Sequence, residues 1–189
     1  YTGAITYTNC KEGSETWNGT VQMTYEGPSS APAKITTTVN SSYTNTSSNT
    51  SLTVSGATIV YSDFVYANNV ITSGAVTLTG NISGTVNNKA INAGYDGFRM
   101  SYSYSGNTTS IQIAGRINPS CINSWVTVST PAALTLPTAT SCYTGGEARI
   151  TDSSNTVSVI FTYTNVSVSF NNTSVASYNN CSEIQGLCI

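Results

Sequence analysis

The alternation of apolar and polar residues with a period of two is the feature that most restricts the fold of this sequence. It appears first where Trp17, Val21, Met23 and Tyr25 fall on odd positions, with mostly polar residues between them. The same pattern recurs at Ile35 and Val39, at Leu52 and Val54, and at Val76, Leu78, Ile82 and Val86. Successive side chains of a strand point to opposite faces, so this period is typical of a sheet with one apolar face. No window of a dozen residues has the three- and four-residue spacing of a helix, and the sequence therefore predicts an all-β protein.

Turn residues between the alternating segments predict hairpins. One hairpin runs from Phe98 to Ile113 through a turn at residues 105–107, and another runs from Ala148 to Tyr163 through a turn at residues 152–155. The apolar phase then changes, which indicates a tight turn or a bulge near Asn165. The connections are too short for crossover helices, so we expect an antiparallel meander of about ten to twelve strands with a mean length of about 5–6 residues. Such a meander forms a β-sandwich or an open barrel.

Three local features refine this prediction. Residues 40–51 consist almost entirely of Ser, Thr and Asn, which predicts an exposed loop or edge. Gly80 and Gly84 interrupt an apolar face and indicate bulges or bends. Pro131 and Pro137 flank a short apolar segment and are expected to protect an edge strand. No domain boundary is evident, so residues 1–189 are expected to form a single domain.

Composition excludes several classes of function. The chain has 28 Ser, 31 Thr and 20 Asn among 189 residues, but only 6 basic and 8 acidic residues. A net charge of -2 provides no cluster of Lys and Arg to neutralise phosphates, so we expect no nucleic-acid partner. No run of 18 apolar residues is present, so we expect no transmembrane helix.

The cysteines indicate an oxidising compartment. The five cysteines are Cys10, Cys121, Cys142, Cys181 and Cys188, and none belongs to a CxxC motif. Two bridges among five cysteines allow fifteen pairings. Cys181 and Cys188 enclose a short loop that would pin a C-terminal tail of residues 171–189, and Cys121 and Cys142 bracket a Pro-containing segment. Cys10 is then left as a free thiol or as a bridge between subunits.

The start of the chain and its chemistry point to an exported protein without catalysis. The sequence begins at Tyr1 without a leader ahead of it, from which we expect removal of a signal peptide and an extracellular or cell-surface location. There is no histidine, which removes the commonest general base and most transition-metal sites. The eight carboxylates include no pair in a recognisable catalytic setting, and no calcium-loop pattern is present. We therefore expect no enzymatic activity, no catalytic or metal-binding residues and no cofactor other than covalent glycans.

Asn-x-Ser/Thr sequons are frequent. About six are expected by chance in a chain of this composition, so ten are a modest excess. Those in the polar stretch and in the predicted hairpin turn would accommodate a glycan. The asparagines are Asn18, Asn40, Asn45, Asn49, Asn81, Asn107, Asn165, Asn171, Asn172 and Asn180.

The segment from Ile117 to Phe170 resembles the C-terminal part of secreted β-rich bacterial surface proteins and lipoproteins of unassigned function. The matching motifs are a Val-Thr-Val strand followed by a Thr-Pro step, and a Cys shortly before a Gly-Gly pair. In this chain they correspond to residues 126–128, Thr130, Pro131, Cys142, Gly145 and Gly146. The sequence lacks the N-terminal Cys of a lipoprotein, so a lipid anchor is not expected.

A second resemblance is one of overall character. Chains that are rich in Thr, Ser, Asn and Val, free of His and rich in sequons are similar to subunits of extracellular filaments built by strand donation, such as TasA-like fibres and archaeal threads. This resemblance implies a homopolymer in which a terminal strand within residues 1–9 completes the sheet of a neighbouring copy. The expected donor strand consists of Ala4, Ile5, Thr6, Tyr7 and Thr8.

Two functions follow from these observations. We expect first a self-assembling structural subunit of an extracellular filament or cell-surface fibre. The alternative is a monomeric carbohydrate-binding or adhesive module, in which Trp17, Trp125 or exposed tyrosines stack on sugar rings. A purely structural interpretation is that each of these aromatic side chains packs within an alternating strand.

Overall fold

The computed structural model describes residues 1–120, 122, 124–140, 142–179 and 183. These residues form twelve strands. Their bounds are β1 (Thr2–Glu12), β2 (Glu15–Glu26), β3 (Lys34–Asn45), β4 (Thr50–Ala67), β5 (Val70–Val86), β6 (Lys89–Ser105), β7 (Thr108–Asn118), β8 (Val126–Pro137), β9 (Gly145–Thr151), β10 (Thr156–Phe161), β11 (Val166–Phe170) and β12 (Thr173–Tyr178).

All twelve strands belong to one sheet and follow their order along the chain. Every neighbouring pair is antiparallel, from β1 with β2 to β11 with β12. The predicted antiparallel meander is confirmed, and so are both predicted hairpins and the turn before β11. β1 and β12 are not paired with each other, so the sheet is open.

Pairs of asparagines make three of the tightest turns. Asn68 and Asn69 join β4 to β5, Asn87 and Asn88 join β5 to β6, and a third pair joins β11 to β12. All six residues have a positive φ, between 48° and 65°. Two successive left-handed residues form the two-residue turn whose twist matches that of a hairpin, and asparagine tolerates this conformation well. These turns help to fix the register of the strands that they join.

Five glycines on one face allow close contact between neighbouring backbones. Gly84 is the tightest, because a Cβ atom on it would lie 1.9 Å from the Ser51 carbonyl oxygen, and its φ is 143°. Gly80 has the same role opposite Ala57, next to a register shift, as the sequence predicted. The others are Gly19, Gly115 and Gly146. Positive φ and close approach together leave no room for a side chain here.

The register separates the sheet into two chemically different faces. One row of directly paired residues crosses all twelve strands and is almost entirely small or polar. It consists of Thr2, Thr24, Thr36, Val60, Thr77, Arg99, Ala114, Ser129, Arg149, Ser158, Ser169 and Ser174. We call the side on which this row lies the polar face. Each of the four ion pairs among the described residues has its cation on that face, at Lys34, Arg99, Arg116 or Arg149.

Side chains one position away along each strand lie on the opposite side, which we call the apolar face. One continuous row there consists of Tyr25, Ile35, Tyr61, Val76, Met100 and Ile113, and another contains Val128, Ile150, Val157 and Phe170. Most of these side chains are half-buried, because neighbours in the same sheet shield them from the side only.

The core among the described residues is small. Its buried apolar side chains are Ala75, Val126, Val128, Leu134 and Val166. The accessible surface is 11255 Å², whereas a compact monomer of this mass exposes about 8,600 Å². The difference arises because the described strands form one open sheet and supply no second layer over the apolar face.

Three predictions about local structure are wrong. Residues 40–51 form the end of β3, a turn and the start of β4, because paired backbone groups hold them in the sheet without a core. Pro131 and Pro137 lie in β8, an interior strand, where one falls at a register shift and the other ends the strand. The longest strands have 17 or 18 residues rather than about 5–6, because bulges absorb the irregularities that the sequence pattern suggested were ends.

Candidate functional site: the open edges of the sheet

β1 forms one outer edge of the sheet. All of its residues are exposed except Tyr7, which is half-buried, and Ile5 is 54% exposed. Thr2–Tyr7 is regular and uncharged, and β1 contains no proline. Charges, prolines or short length normally protect an edge strand from pairing with another chain. The first half of β1 has none of these devices.

The hydrogen bonds to β2 show which backbone groups of β1 remain unpaired. Tyr1 and Tyr25 exchange two backbone bonds, of 2.8 and 3.0 Å. Bonded and non-bonded pairs alternate in an antiparallel ladder, so Thr2, Ala4 and Thr6 direct their N–H and C=O groups away from β2. No described strand pairs with these groups.

β12 forms the opposite outer edge. It has six residues, carries no charge or proline and exposes Val175 by 59%. Its length equals that of the regular segment at the start of β1, before the register shift between Tyr7 and Cys10. The structure therefore offers two edges of the same length without charge or proline, of which β12 is interrupted by a bulge at Val175.

The number of described strands determines how these two edges relate. Neighbouring strands alternate in direction, and twelve is an even number, so β12 runs antiparallel to β1. A second copy in the same orientation would place its β1 antiparallel to the first copy's β12. The antiparallel alternation then continues across the joint without a break.

The cysteine predictions are only partly covered by the described residues. Cys10 is a free, exposed thiol in β1, directly opposite Trp17. Cys142 lies in the connection between β8 and β9. Cys121, Cys181 and Cys188 lie outside the described residues, so both proposed bridges and the pinned tail stay predictions.

Two of the predicted glycosylation residues have a structural role in bulges. The Asn18 Oδ1 accepts a hydrogen bond of 2.7 Å from the backbone N–H of Asn9, which is left-handed with a φ of 47°. The Asn40 Oδ1 accepts a bond of the same length from the N–H of Gly56, whose φ is 59°. In both cases a side chain on the adjacent strand satisfies a donor that the bulge removes from the ladder.

The other sequons fall into two groups. Asn45, Asn165 and Asn171 are engaged in turns, where Asn45 accepts from Ser47 and Ser48 and Asn171 accepts from the Thr156 N–H at 2.8 Å. Asn49, Asn81, Asn107 and Asn172 are exposed, three of them in turns. Asn180 lies outside the described residues. Glycosylation stays a prediction, and the four exposed asparagines are the more accessible candidates for it.

Asn40→Ala is expected to lower the free energy of unfolding by about 1 kcal/mol, the typical loss for one such hydrogen bond. Asn40→Asp keeps the acceptor and should retain most of the stability. Asn92→Ala is the matched control, because Asn92 is exposed in β6 and its side chain makes no hydrogen bond. Urea unfolding at fixed protein concentration measures all three variants. Equal loss in Asn40→Ala and Asn92→Ala would show that the bond does not support the bulge.

Asp63, Glu147 and Asp152 are held by structural partners. The side-chain hydrogen bond from Ser158, with a further one from Arg149, holds the pKa of Glu147 below its ordinary value. The hydrogen bond from Arg99 likewise lowers the pKa of Asp63. The Ser154 N–H at 2.7 Å and Asn155 together lower the pKa of Asp152, which fits the expected role of that aspartate in a turn. All three are stabilised as anions by neighbours in the sheet.

The two tryptophans do not form a common platform. Trp17 lies on the apolar face, 42% exposed, with its ring centroid 4.3 Å from that of Tyr43. Trp125 packs on the polar face over Gly94, beneath the Arg116 guanidinium at 5.2 Å. Because they lie on opposite faces, the two rings cannot contact the same sugar.

Neither a metal centre nor a membrane-spanning helix is found in the part of the chain that the structure describes. No three side chains of metal-ligating types lie close enough together there to hold an ion. No helix within those residues has the length and apolar character needed to cross a bilayer.

Comparison with known proteins returned no matching family model, no matching curated protein and no matching solved structure. Both resemblances noted in the sequence therefore stay predictions.

Proposed function

We propose that this protein is the structural subunit of an extracellular filament or cell-surface fibre, and that it polymerises by addition of β1 of one copy to β12 of the next. The observation that carries the proposal is the open sheet, whose two outer edges have unpaired backbone groups, the same length and no charge or proline in the paired segment, with one bulge at Val175 in β12. Backbone hydrogen bonds supply the joint in this mode of recognition. The protein has no catalytic role in this proposal.

The two edges favour an open polymer rather than a closed dimer. The β1 and β12 edges are different surfaces, so the contact is head-to-tail, and such contacts extend indefinitely unless a rotation closes them into a ring. The antiparallel direction of β12 relative to β1 lets each added copy keep the same orientation. The subunit therefore adds without refolding.

The predicted donor residues have a modified role in this proposal. Residues 4–8 lie in β1, and residues 4–7 pair with β2 of their own chain, whereas Thr8 lies in the bulge. Because antiparallel pairing uses only alternate backbone groups on each side, β1 can complete the β12 edge of a neighbour while it stays paired with β2. Under this arrangement β1 meets β12 and not another β1, so Cys10 remains a free thiol.

Electron microscopy of purified protein in native salt, together with light scattering, tests the proposal. Filaments are the expected result, and their mass should increase with protein concentration. The proposal fails if no species larger than a dimer forms at any concentration. Specific binding on a glycan array by such a small species would support the alternative of a carbohydrate-binding or adhesive module.

A further inference from the structure

The apolar face is too large and too exposed for an isolated subunit in water. Exposed side chains lie both at its edge and in its middle: Ile5 in β1 is 54% exposed, and Tyr104 and Met100 in the central strand β6 are 55% and 37% exposed. Soluble monomers rarely expose contiguous apolar patches of more than a few hundred Å². This face spans twelve strands. Among the residues that the structure describes, its only buried apolar side chains are Val126, Val128, Leu134 and Val166.

From these observations we infer that the apolar face is an interface for a second copy of this chain, which packs against it face to face to form a two-layered sandwich. This interface is distinct from the edge-to-edge joint of the proposed function. The edges use backbone hydrogen bonds along the sheet, whereas this contact buries side chains perpendicular to it.

The area supports a second copy as the occupant. The chain exposes about 2,700 Å² more surface than a compact monomer of its mass. Burial of that excess on both copies gives about 5,300 Å², at the upper end of the range of obligate homodimers. A small ligand or a short peptide would leave most of the face in water.

Charge and shape point to the same occupant. The cations of the four ion pairs lie on the polar face, and the middle of the apolar face carries no charged side chain. Two identical neutral faces therefore meet without burying an unpaired charge. Two sheets pack at about 10 Å with side chains interdigitated, and a copy of the same sheet matches both its width and its strand spacing.

The inference also gives the filament a definite cross-section. Head-to-tail addition at the edges would align the apolar faces of successive copies into one continuous ribbon. An identical ribbon is the partner that has the same length and the same subunit repeat. Each filament would then consist of two sheets with polar faces outward.

The test uses Ala4→Pro, which blocks addition at the β1 edge, so that face-to-face association is measured alone. Size-exclusion chromatography with light scattering should give about 40 kDa, twice the 19.8 kDa of the chain. Met100→Asp in the same background should shift this species to the monomer, because it buries an unpaired charge. Ser103→Asp is the matched control, since Ser103 is exposed on the polar face of the same strand and should leave the dimer unchanged.

Circular dichroism shows whether each variant keeps its strands. Met100→Leu keeps an apolar side chain at this position and should therefore retain the dimer. The inference is overturned if the Ala4→Pro protein is a monomer at all concentrations. Binding of that monomer to a hydrophobic dye or to neutral lipid vesicles would show that another partner covers the face. If the wild-type protein forms the dimer but no filaments, the edge proposal fails and the face-to-face interface stands.

Discussion

Ala4→Pro is expected to abolish filament formation while leaving the fold of the subunit intact. Ala4 directs its N–H away from β2, towards the position of an added strand. Proline removes that donor and places its ring at the joint, yet an edge strand tolerates proline where the N–H faces solvent. Polymerisation should fall by more than tenfold, as measured by sedimentation and electron microscopy. Ala4→Val keeps the N–H and should assemble normally.

The same variant provides a test of direction. Its β12 edge is unchanged, so it can still join the exposed β1 edge of a growing filament. It then offers no functional β1 edge to the next copy. A small fraction of Ala4→Pro mixed with wild type should therefore shorten the filaments. If β1 pairs with β1 instead, the contact is closed and gives only dimers, so the wild type itself forms no filaments for the variant to shorten.

Gly84→Ala is expected to lower the free energy of unfolding by about 2–4 kcal/mol, through a backbone conformation that L residues avoid and a forced shift of β4. The added methyl group would lie 1.9 Å from the Ser51 carbonyl oxygen and 2.9 Å from the Leu52 Cα. Gly145→Ala is the matched control, because Gly145 also lies in an interior strand but would contact its neighbours only at 3.6 Å or more. It should change stability by less than about 0.5 kcal/mol.

Urea unfolding in the Ala4→Pro background, at one fixed protein concentration, separates this effect from changes in assembly. A similar stability for Gly84→Ala and Gly145→Ala would contradict the role given to close backbone approach. In that case the sheet accommodates a side chain at Gly84 by a local change in twist.

Much of the fold could be predicted because strand signals are local. The alternation in segments such as Phe98 to Ile113 specifies both the strands and the face on which each side chain lies. The turn residues at 105–107 and 152–155 then define the hairpins. Strand lengths were harder to predict, because a bulge such as that at Gly56 shifts the pattern without ending the strand.

Some missed features did have a signal in the sequence. The pairs Asn68-Asn69 and Asn87-Asn88 stand between alternating segments, where two left-handed residues favour a tight hairpin. Asn171 and Asn172 were interpreted as sequons, although they form the same type of turn. The bulge roles of Asn18 and Asn40 had no such signal, because each depends on a residue in a neighbouring strand.

The open edges could not be predicted from the alternation either. The pattern determines which side chains share a face but not what covers that face or whether β1 meets β12. A sandwich or an open barrel was expected, whereas the described strands form one open sheet. If the face-to-face inference holds, the sandwich describes the assembled pair rather than the single chain.

The subunit repeat along the filament tests the edge-addition proposal most directly. Twelve strands at a spacing of about 4.8 Å give a repeat of about 58 Å, with strands perpendicular to the filament axis. Cryo-electron microscopy of native filaments should show both this repeat and the strand spacing along the axis. Strands parallel to the axis, or subunits that meet without continuous strand pairing, would contradict addition of β1 to β12.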